Sequence, residues 1–275
     1  MVKKLIKHEI DYYFRTLIIF LPMILVFGIV TAIVGLFEGK EIIDSIIYII
    51  VVSSSMVMLY VSSIVCLVLT GILSVTRFYK NLFTQEGYLT LSLPITYKQH
   101  ILVKLLVAII CEILTAVVVV VAWLIASISY PDIQYVFGEI FGSIGELIGL
   151  LDVGNIILYT IELIVMLFLT LISTNMLYYA CITLGQTARK NRIFSAVGYY
   201  FLYYIIVQII STFITVIITT LAVFDKFTVI IEFIENNPYL SVHIFFVSYI
   251  LIAGALTYLY YRIILYVMNN RLNLE

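Results

Sequence analysis

Six runs of almost unbroken Ile, Val, Leu, Ala and Phe lie near residues 17–37, 46–74, 105–129, 155–184, 194–224 and 242–266. Short stretches carrying charge, amide, Gly and Pro separate them. A helix rises about 1.5 Å per residue, so about 20 apolar residues cross the hydrocarbon of a bilayer. Each run is long enough, and several exceed the minimum, which predicts tilt or projection beyond the hydrocarbon. The pattern predicts an all-α polytopic membrane protein with six transmembrane helices, forming one domain over 1–275.

Ahead of the first run, Ile6, Ile10, Tyr13 and Leu17 recur at one helical face, and Lys3, Lys7 and Asp11 fall on another. This spacing predicts a separate amphipathic helix over 1–16, lying on the inner leaflet. Between the third and fourth runs, Val136, Ile140, Ile144, Leu147 and Leu151 line one face of a short interfacial helix, and 227–235 reads as a second.

Composition agrees with a membrane solvent. The chain is 64% hydrophobic and 11% charged, well short of the roughly one quarter charged residues of soluble domains. The net charge of −1 conceals an asymmetry. Lys3, Lys4, Lys7, Arg15, Arg77, Lys80, Lys98, Lys104, Arg189, Lys190, Arg192, Arg262 and Arg271 fall on one side of the six spans, and only Lys40 and Lys226 on the other. The positive-inside bias therefore puts both termini in the cytoplasm. Glu38, Glu41, Asp44, Asp132, Glu139, Glu146, Asp152, Asp225, Glu232 and Glu235 collect outside. Tyrosines near the inner boundaries, among them Tyr179, Tyr199, Tyr203 and Tyr260, have the placement of an aromatic belt. The leading apolar run is too long for a signal-peptide core and lacks a small-x-small cleavage site.

The polar stretch between the second and third runs, 75–104, is the most structured of the loops. The segment TRFYKNLFTQE reads as a short helix ending at Gly87. Pro94 keeps its predecessor out of the helical region, and Thr96 with Gln99 has capping-box spacing, which starts the third span near Tyr97. A tether would not need this punctuation.

The ordered series Glu86, Gly87, Leu89, Pro94, Ile95, Thr96 and Lys104 resembles the loop between spans two and three in permease subunits of the ABC-2 family of bacterial exporters. The chain is also similar to permeases of Gram-positive bacteria carrying FYKNLFT-x-EGYL and a GQ-x-x-x-K turn, here FYKNLFTQEGYL and GQTARKNR. The topology matches over the whole length; the specific signal rests on about thirty residues. The resemblance implies a multi-pass protein of the bacterial cell membrane whose loop holds a cytoplasmic coupling helix docked on a separate ABC ATPase. The contact residues would be Phe78, Lys80, Leu82, Phe83, Gln85, Glu86, Gly87 and Tyr88. It makes 1–16 the connecting helix and implies a second permease subunit, identical or not.

The chain contains no GxxxxGK[ST], and no soluble segment long enough for a nucleotide domain, so ATP and Mg would sit on the partner ATPase. No cofactor, metal or nucleic acid is implied for this chain. The implied cargo is hydrophobic or amphipathic, a bacteriocin-like peptide or a lipid. An ATP-independent, proton-coupled carrier is the alternative, and an integral enzyme has no His/Ser/Asp or paired-acid constellation to support it. Within the spans, Glu112 and Glu162 stand where a charge costs about 2.5–3.5 kcal/mol, so each faces protein or water. They either line a polar path or are carboxyls bonded to a neighbouring helix. The Ser/Thr series of the second span serves close helix packing or a pore lining. Cys66, Cys111 and Cys181 read as small hydrophobes, Arg262 as a snorkelling inner anchor, and His8, His100 and His243 lack metal spacing.

Overall fold

The structure, a computed structural model, describes residues 2–37, 46–92, 94–150, 152–188, 190–223 and 228–270. Those residues are helical throughout apart from turns. The helices are α1 (Val2–Gly35), α2 (Ile46–Phe83), α3 (Gln85–Leu91), α4 (Tyr97–Ser127), α5 (Pro131–Leu150), α6 (Val153–Gly185), α7 (Arg192–Val223), α8 (Thr228–Asn236) and α9 (Pro238–Asn270). Six of them, α1, α2, α4, α6, α7 and α9, are long and apolar enough to cross a membrane. The loop residues Glu38, Lys40, Glu41, Asp44, Arg189, Asp225, Lys226 and Arg271, and Leu151 of the expected outer helix, lie outside the described residues.

Helix is the form such a chain must take, because a span in hydrocarbon has to satisfy its own backbone N–H and C=O groups. The boundaries follow local chemistry. Pro131 and Pro238 occupy the first positions of α5 and α9, where a missing N–H costs nothing. The turn after α6 closes with Asn191 in the left-handed region at φ 54°, and the Asn191 carbonyl accepts the first backbone bond of α7 from Ser195 at 3.0 Å.

The expected amphipathic helix over 1–16 is not a separate element. It forms the first turns of α1, which runs on without a break to Gly35 with Pro22 inside it. Nothing from Val2 to Leu21 interrupts a helix, and the stripe assigned to the leaflet packs on protein. Tyr13 and Leu17 are buried with Val107, Ala108 and Cys111 of α4, and Ile6 and Ile10 cover that cluster. α5 and α8 appear where short outer helices were expected, and Val136, Ile140 and Ile144 of α5 are exposed.

The chain divides into two compact units. The first holds residues 1–77 and 98–152: α1, α2 through Arg77, α4 and α5. Its second core cluster joins Ile24, Leu59, Cys66, Ala122 and Ala126. Small residues bring the helices close: a Cβ on Gly28 would stand 2.7 Å from the Ala122 carbonyl oxygen. Polar groups stitch the same seam. Thr31 donates to the Ser55 carbonyl at 3.2 Å, Thr70 and Thr115 share a bond at 3.0 Å, and the indole of Trp123 donates to Ser63 at 3.2 Å. Such bonds inside a membrane contribute about 0.6–1.7 kcal/mol each. Ser62, Ser63, Thr70 and Ser74 of the second span are buried.

The second unit holds 78–97 and 153–275: the last turn and a half of α2, then α3, α6, α7, α8 and α9. α6 is its hub, packed on both α7 and α9. At the α6–α7 turn a Cβ on Gly185 would meet the Ala196 Cβ at 2.6 Å. Several belt tyrosines prove to be helix contacts. Tyr179 and Tyr260 are buried, and the Tyr260 hydroxyl donates to that of Tyr203 at 2.8 Å.

Gly28→Ala places a methyl against backbone that cannot move aside and should cost about 1–3 kcal/mol. Gly71→Ala, whose Cβ meets nothing within 4 Å, should be neutral or mildly stabilising. Thermal unfolding in detergent, followed by the fluorescence of Trp123 at this seam, checks the pair.

Candidate functional site

The loop between the second and third spans is built differently from its sequence expectation. Thr76 to Phe83 do not form a separate helix ending at Gly87. They continue α2, and the break falls at Thr84, whose backbone is extended at φ −113° and ψ −169°. The short helix of the loop is α3, with Gly87 inside it. Helix formers and a buried apolar face carry α2 to Phe83, leaving no reason to stop earlier. Gly87 is required by proximity. Its N–H donates to the Thr84 carbonyl at 2.7 Å, and a Cβ there would lie 2.6 Å from the Leu82 carbonyl oxygen. The third span begins at Tyr97, as its capping pattern predicts.

Of the eight residues assigned to ATPase contact, Phe78, Leu82 and Phe83 are corrected. Each is buried inside the chain, at 0%, 0% and 8% exposure, and so presents no apolar anchor to a partner. Phe78 stacks on Tyr179 of α6 with ring centroids 3.9 Å apart and planes 5° apart, and Phe83 meets Phe78 edge-on at 5.8 Å. Their apolar character is spent on internal packing, which sequence periodicity alone does not distinguish from a docking face. Gly87 is buried in the same corner. Lys80, Gln85, Glu86 and Tyr88 are exposed. The loop therefore offers a polar face with one large aromatic ring, backed by a stacked aromatic floor.

One residue before Phe78 stands a feature the sequence reading missed. Glu9 of α1 is 1% exposed; its Oε2 accepts from Arg77 Nε at 2.8 Å, and its Oε1 accepts from Lys104 Nζ at 2.8 Å and Arg77 Nη2 at 3.5 Å. The two cations are themselves buried, at 4% and 3% exposure. The Arg77 guanidinium also lies 4.3 Å over the Tyr12 ring and 3.0 Å from His8 Nδ1. His100, one turn before Lys104, is fully buried with neither ring nitrogen bonded. Arg77 and Lys104 are among the basic residues that predicted orientation; the structure uses both as ligands of one carboxylate. The signal available in sequence was position. Glu9, Tyr13 and Leu17 recur every four residues, so an acid sits on the buried stripe of α1.

The two intramembrane acids fall in different units. Glu112, on α4, is half-buried. Glu162, on α6, places both carboxylate oxygens 3.0 Å from Nδ1 of His243 on α9. Tyr159 stacks on that imidazole at 4.4 Å and donates its hydroxyl to the Tyr239 carbonyl at 3.0 Å. A role for His243 could not be read from sequence, because it lies 81 residues from its partner. The three cysteines are buried free thiols, and among the described residues no cluster of three or more His, Cys, Asp or Glu side chains could hold a metal.

No protein-family model, curated protein or solved structure matches this chain.

Glu9→Gln removes the carboxylate that pairs with two buried cations and should cost about 3–5 kcal/mol. Glu146→Gln, at an exposed position of α5, should leave the melting temperature unchanged. Thermal unfolding of both variants in the same detergent compares them.

Proposed function

We propose that this chain is the membrane-spanning permease subunit of an ATP-driven exporter of the ABC-2 type. It would move a hydrophobic or amphipathic substrate, a bacteriocin-like peptide or a lipid, outward across a bacterial cell membrane. A separate cytoplasmic ABC ATPase would hydrolyse ATP with Mg, and a second permease subunit, identical or different, would complete the pathway.

The observation that carries the reading is the corner at α2, α3 and α6. An element that transmits a push must be rigid behind and accessible in front. Behind, Phe78 is stacked on Tyr179, Phe83 closes its edge, and Gly87 brings α3 against the Leu82 carbonyl. In front, Lys80, Gln85, Glu86 and Tyr88 are exposed. Tyr is enriched at protein interfaces, and charged groups around such an anchor set partner choice and association rate. The bias of basic residues supports a cytoplasmic position for this loop. ATPase contact is accordingly assigned to Lys80, Gln85, Glu86 and Tyr88, with Phe78, Leu82, Phe83 and Gly87 as the backing that holds α3.

A proton-coupled carrier is the second reading, favoured by the Glu162–His243 pair. A carboxylate and an imidazole 3.0 Å apart inside two candidate spans can hold or release a proton together. The α3 corner has no part in that mechanism.

Co-expression with the genes that flank this one, followed by affinity purification, tests the first reading: an ABC ATPase should be recovered with the chain. The double variant Glu86→Lys, Tyr88→Ala should retain the fold and lower ATPase recovery by about tenfold or more, the effect of removing a hot-spot aromatic and reversing a charge. Undiminished recovery overturns the assignment. For the carrier, Glu162→Gln should abolish transport driven by a pH gradient in vesicles without ATP. Transport that persists dismisses that reading.

A further inference from the structure

Within the second unit, the far ends of α6 and α9 and the start of α7 line an open surface cavity of about 520 Å³. Four polar side chains line it, Thr187, Tyr199, Arg262 and Tyr266, over an apolar floor that includes Leu184 and Leu259. The volume is in the range of small-molecule sites, which run from about 300 to 1,000 Å³. Its charge is positive, from Arg262. The guanidinium donates to the hydroxyl of Tyr258 at 3.0 Å, one turn back on α9, and among the described residues that line the space none is a carboxylate. The cavity thus presents one cation, phenol and threonine hydroxyls, and an adjoining hydrocarbon surface.

We infer that this cavity binds the headgroup of an anionic glycerophospholipid. A guanidinium matches a phosphodiester with paired N–H donors, and the phenols of Tyr199 and Tyr266 can donate to the remaining oxygens. The apolar floor continues onto helix surface made for lipid, so acyl chains need no separate pocket. Among the described residues that line it there is no carboxylate for a choline ammonium, which disfavours zwitterionic headgroups. Basic pockets between spanning helices at the anionic leaflet recognise lipid in this way. On α7, Arg192 lies seven residues before Tyr199, on the same helical face, and adds positive charge on the approach. A snorkelling Arg262 would explain a cation at the end of a span, but not the hydroxyls and the cavity around it. The inference stands apart from the exporter reading, since it requires only that α6, α7 and α9 lie in a bilayer.

Native mass spectrometry of the full chain in detergent, after incubation with equimolar phosphatidylglycerol and phosphatidylcholine of matched acyl chains, tests it. Phosphatidylglycerol adducts should exceed phosphatidylcholine adducts by about fivefold, the factor for one basic side chain at an anionic surface. Arg262→Gln should bring the ratio near unity, and Arg262→Lys should retain part of it. If Arg262→Gln does not fold, Tyr199→Phe with Tyr266→Phe should still lower the ratio. Inorganic phosphate in excess should not displace the lipid. A ratio indifferent to these substitutions, or displacement by phosphate, overturns the assignment.

Discussion

Hydrocarbon offers no hydrogen bonds, and every feature of this chain answers to that fact. Each spanning backbone must close its own ladder, so the described helices run 30 residues or more where they cross. Hydroxyls on exposed faces turn back onto their own helix, as Thr215 does to the Ser211 carbonyl at 2.9 Å. Outward side chains can be as apolar as the core. On α7, Phe201, Ile205, Ile209 and Phe213 are all exposed. With no hydrophobic difference between lipid and protein interior, specificity falls to small residues and buried polar groups.

That is why the charged cluster on Glu9 matters more than its size suggests. Desolvating three ions is expensive, and apolar side chains of the same volume would fasten α1, α2 and α4 as well. A carboxylate between two cations accepts only one arrangement of its donors, and so sets one register for three helices. Arg77 and Phe78 are consecutive yet do opposite things. Arg77 turns toward a carboxylate on α1, and Phe78 toward an aromatic ring on α6. On the proposed function, the stacking of Phe78 on Tyr179 makes the loop a stiff element, able to pass on displacement instead of absorbing it.

The same economy separates the two polar pairs of the second unit. Glu162 and His243 meet at 3.0 Å within the helix pair α6–α9. Arg262, on α9, donates to the Tyr258 phenol, and on the inference drawn above its charge serves a lipid headgroup.

The apolar run lengths determined the number of spans, and a period of 3.6 residues is all that was needed for helix, since lipid permits no other open form. Local chemistry also placed the start of α4 at Tyr97, and the short helices α5 and α8. What a buried stripe packs against is not local. Ile6, Tyr13 and Leu17 have the same spacing whether they meet lipid or α4, and Phe78 and Phe83 the same character whether they dock on a partner or stack on Tyr179. Glu9 with Lys104, and Glu162 with His243, lie 95 and 81 residues apart, beyond any periodicity. Composition and spacing are properties of a segment, whereas a contact belongs to two segments at once, and only the tertiary structure brings the second one into place.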